Sequence, residues 1–166
     1  MRKIFLLIIV NCIMHIGVCN CTSCEDDRLC LYNNSEKSLF VDWSPIYPDT
    51  TLISNQMSAI FTTNGKDTAN PGNWIKPFQK GSVFVMNTTW EHIYNRNDTQ
   101  MIFIFDGNVI WNTDWEIVAR DYLVLQRYDL SLQDLQKLNW KLYYPPTEAM
   151  KDIKMYPPYQ EKEDED

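Results

Sequence analysis

The apolar run at residues 101–105 places the strongest condition on the fold of this chain. It reads Met-Ile-Phe-Ile-Phe, so neither of the two faces of an extended segment would be polar. Strands that alternate apolar and polar residues are half-exposed, whereas near-continuous apolar strands are covered on both sides. The sequence therefore predicts a fully buried strand here.

Other segments predict short strands, because they combine alternating polarity with residues that favour β-structure. They are residues 28–32, 38–43, 57–62, 82–86, 122–126 and 140–144. The first two flank the polar turn residues 33–37, a pattern typical of a hairpin. Asn-Gly and Pro-Gly within residues 63–72 predict a loop.

Two short helices are predicted in the connections. Thr113 and Glu116 have the spacing of a capping box, and apolar residues follow at helical intervals. Ser131 is the predicted N-cap of the second helix, with Leu135 on its buried stripe. Residues 90–94 fit one further helical turn. The predicted fold class is mostly β: a single small β-sandwich-like or α+β domain with two short helices in its connections.

Residues 1–23 predict a signal peptide. Arg2 and Lys3 form a positive start, and the largely apolar run at residues 4–18 that follows contains no charged residue. A membrane-spanning helix needs about 20 apolar residues, and polar residues interrupt this run by Asn20. Export to the cell envelope or the extracellular space is therefore expected.

The five cysteines all lie near the N-terminus, at Cys12, Cys19, Cys21, Cys24 and Cys30. No later cysteine exists to close a disulfide across the domain, which excludes a disulfide-stapled scaffold. Zinc sites usually take a second pair of ligands from further along the chain, so no metal site is predicted.

Cys24 is the predicted lipidation site. Thr22 and Ser23 precede it, and small residues before a cysteine at the end of an apolar segment resemble a bacterial lipobox. In a lipobox the cysteine is lipid-modified and becomes the mature N-terminus. Cys21 departs from the pattern, because Leu, Val or Ile is usual there, and Cys19 is the alternative processing site. The expected location is the outer membrane of a cell envelope, and plain secretion is the alternative.

The predicted organisation is a signal peptide at 1–23, an acidic tether at 24–27, a β-rich domain at 28–146 and an acidic, disordered tail at 147–166. Removing the signal peptide takes away two basic residues and no acidic one, so the formal net charge of −7 becomes −9. Phosphate contacts need a basic patch, so nucleic acid is excluded as a partner.

Several segments carry a resemblance to known proteins. Residues 127–140 (RYDLSLQDLQKLNW) are followed by Tyr-Tyr-Pro-Pro at 143–146, and MIFIFD at 101–106 precedes them. With residues 31–37, they resemble a group of small uncharacterised secreted or lipid-anchored proteins of the Bacteroidetes. The acidic residues after Cys24 also resemble the surface-export signal of Bacteroidetes lipoproteins. The resemblance implies an envelope location and brings no catalytic residue.

Few residues are candidates for catalysis. His92 is the single histidine beyond the predicted signal peptide and is expected on the surface. The five glycines form no phosphate-binding cluster, so no cofactor is expected. Asp106, Asp114, Glu116 and Asp121 are the carboxylates from which a glycosidase-like pair could be built. Negative charge in the first turn of a helix is stabilising, so capping is the favoured role for Asp114 and Glu116.

Aromatic residues offer a route to ligand binding, since the chain has six tryptophans and nine tyrosines. Trp74, in a Pro/Gly-rich stretch, is the best candidate for an exposed ring that contacts a ligand. The predicted function is an envelope-anchored or secreted protein that binds a protein or glycan partner at the cell surface, with membrane contact through a lipid anchor.

Three alternatives stay open at this point. The first is a small carboxylate-dependent hydrolase of an extracellular polymer, and the second is a structural subunit of a surface assembly with an unpaired edge strand. The third concerns the source: in a eukaryotic secretory protein, the Asn-x-Ser/Thr sequences would suggest N-glycans. They begin at Asn20, Asn33, Asn87 and Asn97.

Overall fold

A computed structural model describes residues 25–49, 52, 74–86 and 88–161 of the chain. Strands predominate over helices and form two sheets, which confirms the predicted mostly β fold class. The strands are β1 (Glu25–Asn33), β2 (Leu39–Ser44), β3 (Trp74–Ile75), β4 (Lys80–Met86), β5 (Gln100–Asp106), β6 (Gln126–Leu130), β7 (Lys141–Tyr144) and β8 (Lys154–Tyr156). The helices are α1 (Trp90–Tyr94), α2 (Gly107–Asn112), α3 (Trp115–Arg120) and α4 (Leu132–Lys137), and a 3-10 turn covers Glu148–Met150.

The two sheets have different pairing. The three-stranded sheet has the order β4-β1-β7, in which β1 pairs antiparallel with β4 and parallel with β7. The five-stranded sheet has the order β3-β2-β5-β6-β8 and is antiparallel throughout. Strands distant in sequence therefore become neighbours in both sheets.

The main core lies between the two sheets. On β1, Leu29 and Leu31 are fully buried, whereas Arg28 is exposed and Cys30 is half-buried, as period-two alternation requires. The buried side chains that they join come from both sheets and from α1, α4 and the C-terminal segment. They include Val41, Val83, Val85, Trp90, Ile102, Ile104, Tyr128, Leu130, Leu135, Leu142 and Met150.

A second core lies on the other face of the five-stranded sheet. Phe103 and Phe105 of β5 pack there with Phe40, under Ile110 of α2 and Val118 of α3. Residues 102 and 104 of β5 face the first core at the same time. The prediction that residues 101–105 form a strand buried on both faces is therefore confirmed.

The predicted hairpin between residues 28–32 and 38–43 is wrong, because β1 and β2 belong to different sheets. Asn33 explains the change of sheet. Its side-chain Nδ2 donates to the carbonyl oxygens of Lys37 and Lys76, and its Oδ1 accepts from the backbone N–H of Ser35. These bonds fix a turn that carries the chain from one sheet to the other. Alternation identifies strands, but it does not choose their partners.

The helix predictions were right in position and partly wrong in detail. α4 has the predicted N-cap: Ser131 Oγ accepts from the backbone N–H of Asp134, whose carboxylate accepts from the N–H of Ser131. α1 also forms as predicted, with Thr89 as its N-cap. The capping box at Thr113 does not form, because α2 continues to the preceding residue and Asp114 becomes the N-cap of α3.

The strand predicted at residues 122–126 begins only at its last residue, Gln126. Tyr122 has a φ of 51°, which is outside the range of an extended strand. Its backbone N–H donates to the carbonyl of Ala119, and the N–H of Leu123 donates to that of Val118. The end of α3 therefore takes up the residues that the apolar pattern assigned to a strand.

The predicted acidic tether at 24–27 is corrected by β1, which already begins at Glu25. Asp26 pairs with Val85 in the ladder and is buried, and its carboxylate accepts hydrogen bonds from the side chain of Arg28 and the backbone N–H of Trp90. These donors satisfy the buried charge of Asp26. The acidic residues that follow Cys24 therefore belong to a strand and not to a solvated linker.

The predicted disordered tail at 147–166 is also corrected. Within it, the 3-10 turn and β8 are ordered parts of the domain, and β8 extends the five-stranded sheet by pairing with β6. Met150 and Ile153 are buried in the main core. Two apolar anchors therefore outweigh the charged composition around them.

Some predictions lie outside the described residues. They are the signal peptide, the lipidation site Cys24, the alternative site Cys19, the strand at 57–62, the loop at 63–72 and the last residues of the tail.

Candidate functional site

One end of the sandwich collects the polar and aromatic residues that are candidates for binding. β1 and β7 end there, at Asn33 and Tyr144, and the backbone N–H of Asn34 donates to the carbonyl of Tyr144 at 2.7 Å. β2 begins there and β5 ends there, since Leu39 pairs with Asp106. This is called the Trp74 end below.

Trp74 forms part of an aromatic group at this end. It belongs to β3, the outermost of the described strands on that side of the five-stranded sheet, and it pairs there with Phe40. Its ring packs edge-on against the Phe40 ring with 5.3 Å between centroids. The Trp111 ring of α2 lies edge-on to Trp74 at 6.1 Å. Trp74 is half-buried, in contrast to the exposed loop position expected, and Trp111 is 45 % exposed. Trp111 therefore presents the accessible ring, and Trp74 supports it.

Gly107 makes this arrangement possible by allowing α2 to approach β2 closely. Its backbone N–H donates to the carbonyl of Ser38 at 2.7 Å. A β-carbon at position 107 would lie 2.8 Å from Cζ3 of Trp74 and 2.9 Å from the Ser38 oxygen, which is closer than van der Waals contact permits. A residue without a side chain is thus required where α2 docks.

Asp106 and Lys37 form an ion pair next to the aromatic group, with 2.5 Å between Oδ2 and Nζ. Asp106 Oδ1 also accepts from the backbone N–H of Asn108 at 2.9 Å and so caps α2. Burial by itself would raise the pKa of Asp106. The hydrogen bonds from Lys37 and Asn108 outweigh that effect and hold the pKa of this carboxyl below its ordinary value.

Tyr144 is the third polar group of the site. Burial raises the pKa of its hydroxyl; the charge of Lys37 lowers this pKa and that of Asp106 raises it. The hydroxyl therefore stays protonated near neutral pH and is able to donate or accept a hydrogen bond. Lys37, Asp106 and Tyr144 come from a turn and two strands in different sheets, so only the folded chain brings them together.

Phe78 adds an exposed apolar side chain in the turn between β3 and β4. Its side chain is 69 % exposed and its φ is 55°, a left-handed conformation that is unfavourable for a residue with a β-carbon. Asn33 bonds to this turn, with its backbone N–H donating to the Gln79 carbonyl and its Nδ2 to that of Lys76. The ring is thus held at the same end as Trp74.

The remaining predicted candidates are dispersed over helix ends. Asp114 and Glu116 lie at the N-cap and in the first turn of α3. Asp121 follows the last residue of that helix and pairs with Arg120, whose hydrogen bond lowers the pKa of the Asp121 carboxyl. His92 is on the surface of α1, as predicted.

Sequence reasoning did not identify Lys37, Tyr144 or Phe78 as site residues, and it counted Trp111 among the six tryptophans without choosing it as the exposed ring. Lys37 and Tyr144 occur as ordinary turn and strand residues, and nothing local marks them. Phe78 could have been noticed in the sequence. It follows Pro77 in an otherwise polar stretch, and a turn does not need an aromatic ring at that position.

Within residues 25–49, 52, 74–86 and 88–161, no three His, Cys, Asp or Glu side chains are grouped so as to hold a metal ion. The helices in the described part of the chain are all too short or too polar to cross a membrane.

Comparison of the chain with protein-family models, curated proteins and solved structures finds no match. Its function is therefore inferred from the geometry of the Trp74 end and from the sequence.

Proposed function

We propose that this chain is an envelope-anchored or secreted binding protein that takes a glycan at its Trp74 end. The observation that supports this function is the half-exposed Trp111 ring, held edge-on to Trp74 beside the Lys37–Asp106 ion pair. Rings stack on the apolar C–H faces of sugars, and a few directed polar groups fix the orientation of the ligand.

The aromatic surface is prepared for binding before a ligand arrives. Trp74 is held by its strand pairing with Phe40, and α2 is held by the hydrogen bond from Gly107 and by the Asp106 cap. Little side-chain entropy is then lost when a sugar contacts Trp111, which favours affinity.

The polar groups favour an uncharged saccharide over an anionic one. Lys37 and Asp106 neutralise each other, and the raised pKa of Tyr144 keeps its hydroxyl neutral. Together they present donors and acceptors with no net charge. The whole chain is acidic, with a formal net charge of −7, so an anionic polymer would also meet overall repulsion.

The hydrolase alternative is less well supported. A glycosidase needs a carboxyl whose pKa is raised so that it donates a proton near neutral pH. The pKa of Asp106 is lowered, and its two oxygens are engaged by Lys37 and by the backbone of α2. Binding without catalysis is therefore the function that this site fits better.

The structural-subunit alternative has one feature in its favour. β4 is seven residues long, and among the described strands it pairs with β1 alone. An edge of this length is able to add a strand from another chain. Light scattering across a range of protein concentrations distinguishes the two functions, because an assembly subunit would grow in mass and a glycan-binding monomer would not.

The proposed attachment to the envelope is through a lipid on Cys24, and its direct test is the intact mass of the mature N-terminal peptide from native membranes. A diacylglyceryl-modified Cys24 would support the lipoprotein. An unmodified N-terminus, or glycans at Asn33, Asn87 or Asn97, would refute it. Asn33 is poorly accessible to a glycan, because its side chain is buried and both amide hydrogens are used.

The binding function is tested by screening the purified protein on a panel of neutral oligosaccharides, followed by calorimetry on any ligand found. Trp111→Ala should weaken binding by about tenfold or more, since loss of an aromatic contact at the centre of a site amounts to about 1.5–2 kcal/mol. Tyr156→Ala is the matched control, because that ring is 51 % exposed and lies on the edge strand β8. An equal loss in both variants, or no glycan bound at all, would refute the proposal.

A further inference from the structure

β1 begins directly after the proposed anchor residue. Cys24 is adjacent in sequence to Glu25, which is the first residue of the strand and pairs with Met86. Lipoproteins with a flexible spacer are able to stand away from the bilayer, whereas one residue spans less than 4 Å. A lipid on Cys24 would therefore hold this end of the domain at the membrane surface.

The end of the sandwich at which β1 begins is identified by contacts between the sheets. The Asp26 carboxylate accepts from the backbone N–H of Trp90 at 3.0 Å, and the Trp90 ring packs edge-on against the Trp43 ring at 5.8 Å. Trp43 is the penultimate residue of β2, so β2 ends where β1 begins. This is the Glu25 end, and it is opposite to the Trp74 end, where β1 ends and β2 begins.

Two apolar side chains are exposed in the turn that follows β2 at the Glu25 end. Ile46 is 60 % exposed and Tyr47 is 38 % exposed. The turn is braced from two sides: Asn97 Nδ2 donates to the Pro45 carbonyl, and Lys154 Nζ donates to the Tyr47 hydroxyl while lying 5.2 Å from the centre of its ring. The two side chains are therefore presented by a fixed turn.

We propose that the Glu25 end rests on the headgroup layer of the membrane, with Ile46 and Tyr47 inserted into it. The inference rests on the proposed lipidation of Cys24 and adds the orientation of the domain. An aliphatic side chain, a tyrosine and a lysine with an apolar stem form the combination that suits the boundary between headgroups and acyl chains. The acidic chain gives no general attraction to anionic lipid, so the contact is apolar and suits zwitterionic headgroups.

This orientation also determines where a ligand is met. Because the two ends are opposite, contact of the Glu25 end with the bilayer points Trp111 and Phe78 away from it. The glycan site then faces the medium or a neighbouring surface, and a polymer is able to reach it without crossing the lipid headgroups.

The experiment compares the depth of two labelled positions in membranes. Full-length chains carrying Cys30→Ser and either Ile46→Cys or Phe78→Cys are exported, extracted in detergent and checked by intact mass. The new thiol is coupled to an environment-sensitive fluorophore, and the protein is reconstituted in phosphatidylcholine vesicles containing a lipid with a nitroxide headgroup. Both positions are well exposed, at 60 % and 69 %, so the labels do not disturb a core.

The expected result is quenching at position 46 that is at least threefold stronger than at position 78. Equal quenching in a protein whose mass shows the lipid would overturn the orientation and leave the lipoprotein standing. A mass without lipid would overturn the anchor and the orientation with it. Stronger quenching at position 78 would mean that the Trp74 end faces the membrane, which also contradicts the proposal.

Discussion

Replacing Gly107 by alanine tests the packing that brings Trp111 onto Trp74. The new β-carbon would lie 2.8 Å from Cζ3 of Trp74 and 2.9 Å from the carbonyl oxygen of Ser38. The Trp74 ring is restrained by Phe40 and Trp111, and the Ser38 oxygen belongs to the backbone and accepts the Gly107 N–H. Neither the Trp74 ring nor the Ser38 carbonyl is therefore able to shift without disturbing another contact.

The magnitude follows from two opposing effects. Overpacking of a well-filled site destabilises by about 1–3 kcal/mol. Alanine is favoured over glycine in a helix by about 0.5–1 kcal/mol, and Gly107 is the first residue of α2. The expected net loss in the free energy of unfolding is therefore about 1–2 kcal/mol, accompanied by displacement of the Trp111 ring.

Urea denaturation of Gly107→Ala and of the parent protein measures this loss, with tryptophan emission as the signal. Asn108→Ala is the control, since that side chain is exposed on the same helix and leaves the backbone contacts in place. A Gly107→Ala variant as stable as the parent, or more stable, would show that α2 is not docked as tightly as described. If Gly107→Ala bound glycan with unchanged affinity, binding would not depend on the position of α2.

Two further variants test individual side chains. Asp106→Asn should make the free energy of unfolding less dependent on pH. The pKa of Asp106 in the folded protein is lower than its ordinary value of 3.8, so the ionised carboxylate stabilises the parent above pH 3.8. The parent loses this stability as the pH falls through the folded pKa. Urea midpoints at pH 7 and pH 3 measure this, and an equal drop in parent and variant would contradict the Lys37 pair. Ser131→Ala removes the side-chain cap of α4 and should lower the free energy of unfolding by about 1 kcal/mol, measured by thermal denaturation; Ser131→Asn, which is able to cap, should retain most of it.

Local patterns predicted the elements that depend on near neighbours. Residues 101–105 formed the buried central strand because every side chain in the run is apolar, and Ser131 capped α4 because its partner lies three residues away. The Thr113 box failed because a short helix ahead of it had no strong signal of its own. Thr113 lies between two adjacent helices that both pack on Phe105 and its neighbours. This packing, rather than residue spacing, determines where each helix ends.

Long-range pairing was beyond the sequence pattern. β1 alternates as a half-buried strand should, yet its partners β4 and β7 are far away along the chain. The C-terminal segment contains enough charge to suggest disorder, but two apolar residues, Met150 and Ile153, hold it to the core. The average composition of a segment does not reveal single buried residues, because burial depends on which individual side chains pack into the core.

The candidate site was predictable in part. Trp74 and Asp106 were candidates by residue type, and both lie at one end of the fold. Their companions were not, because Lys37 reaches Asp106 only through the pairing of β2 with β5, and Tyr144 arrives with the parallel strand β7. A site assembled at the ends of several strands has no signature within any one of them.

The position of β1 in the middle of its sheet has a mechanical consequence. Under the proposed anchoring, a ligand held at the Trp74 end and a lipid attached before Glu25 would stretch the domain along the length of β1. The hydrogen bonds of β1 to β4 and β7 lie across that direction, so they would be loaded together in shear rather than opened one after another. A domain connected in this way is suited to holding a polymer under flow, since tension would reach the membrane through a strand that is paired on both sides.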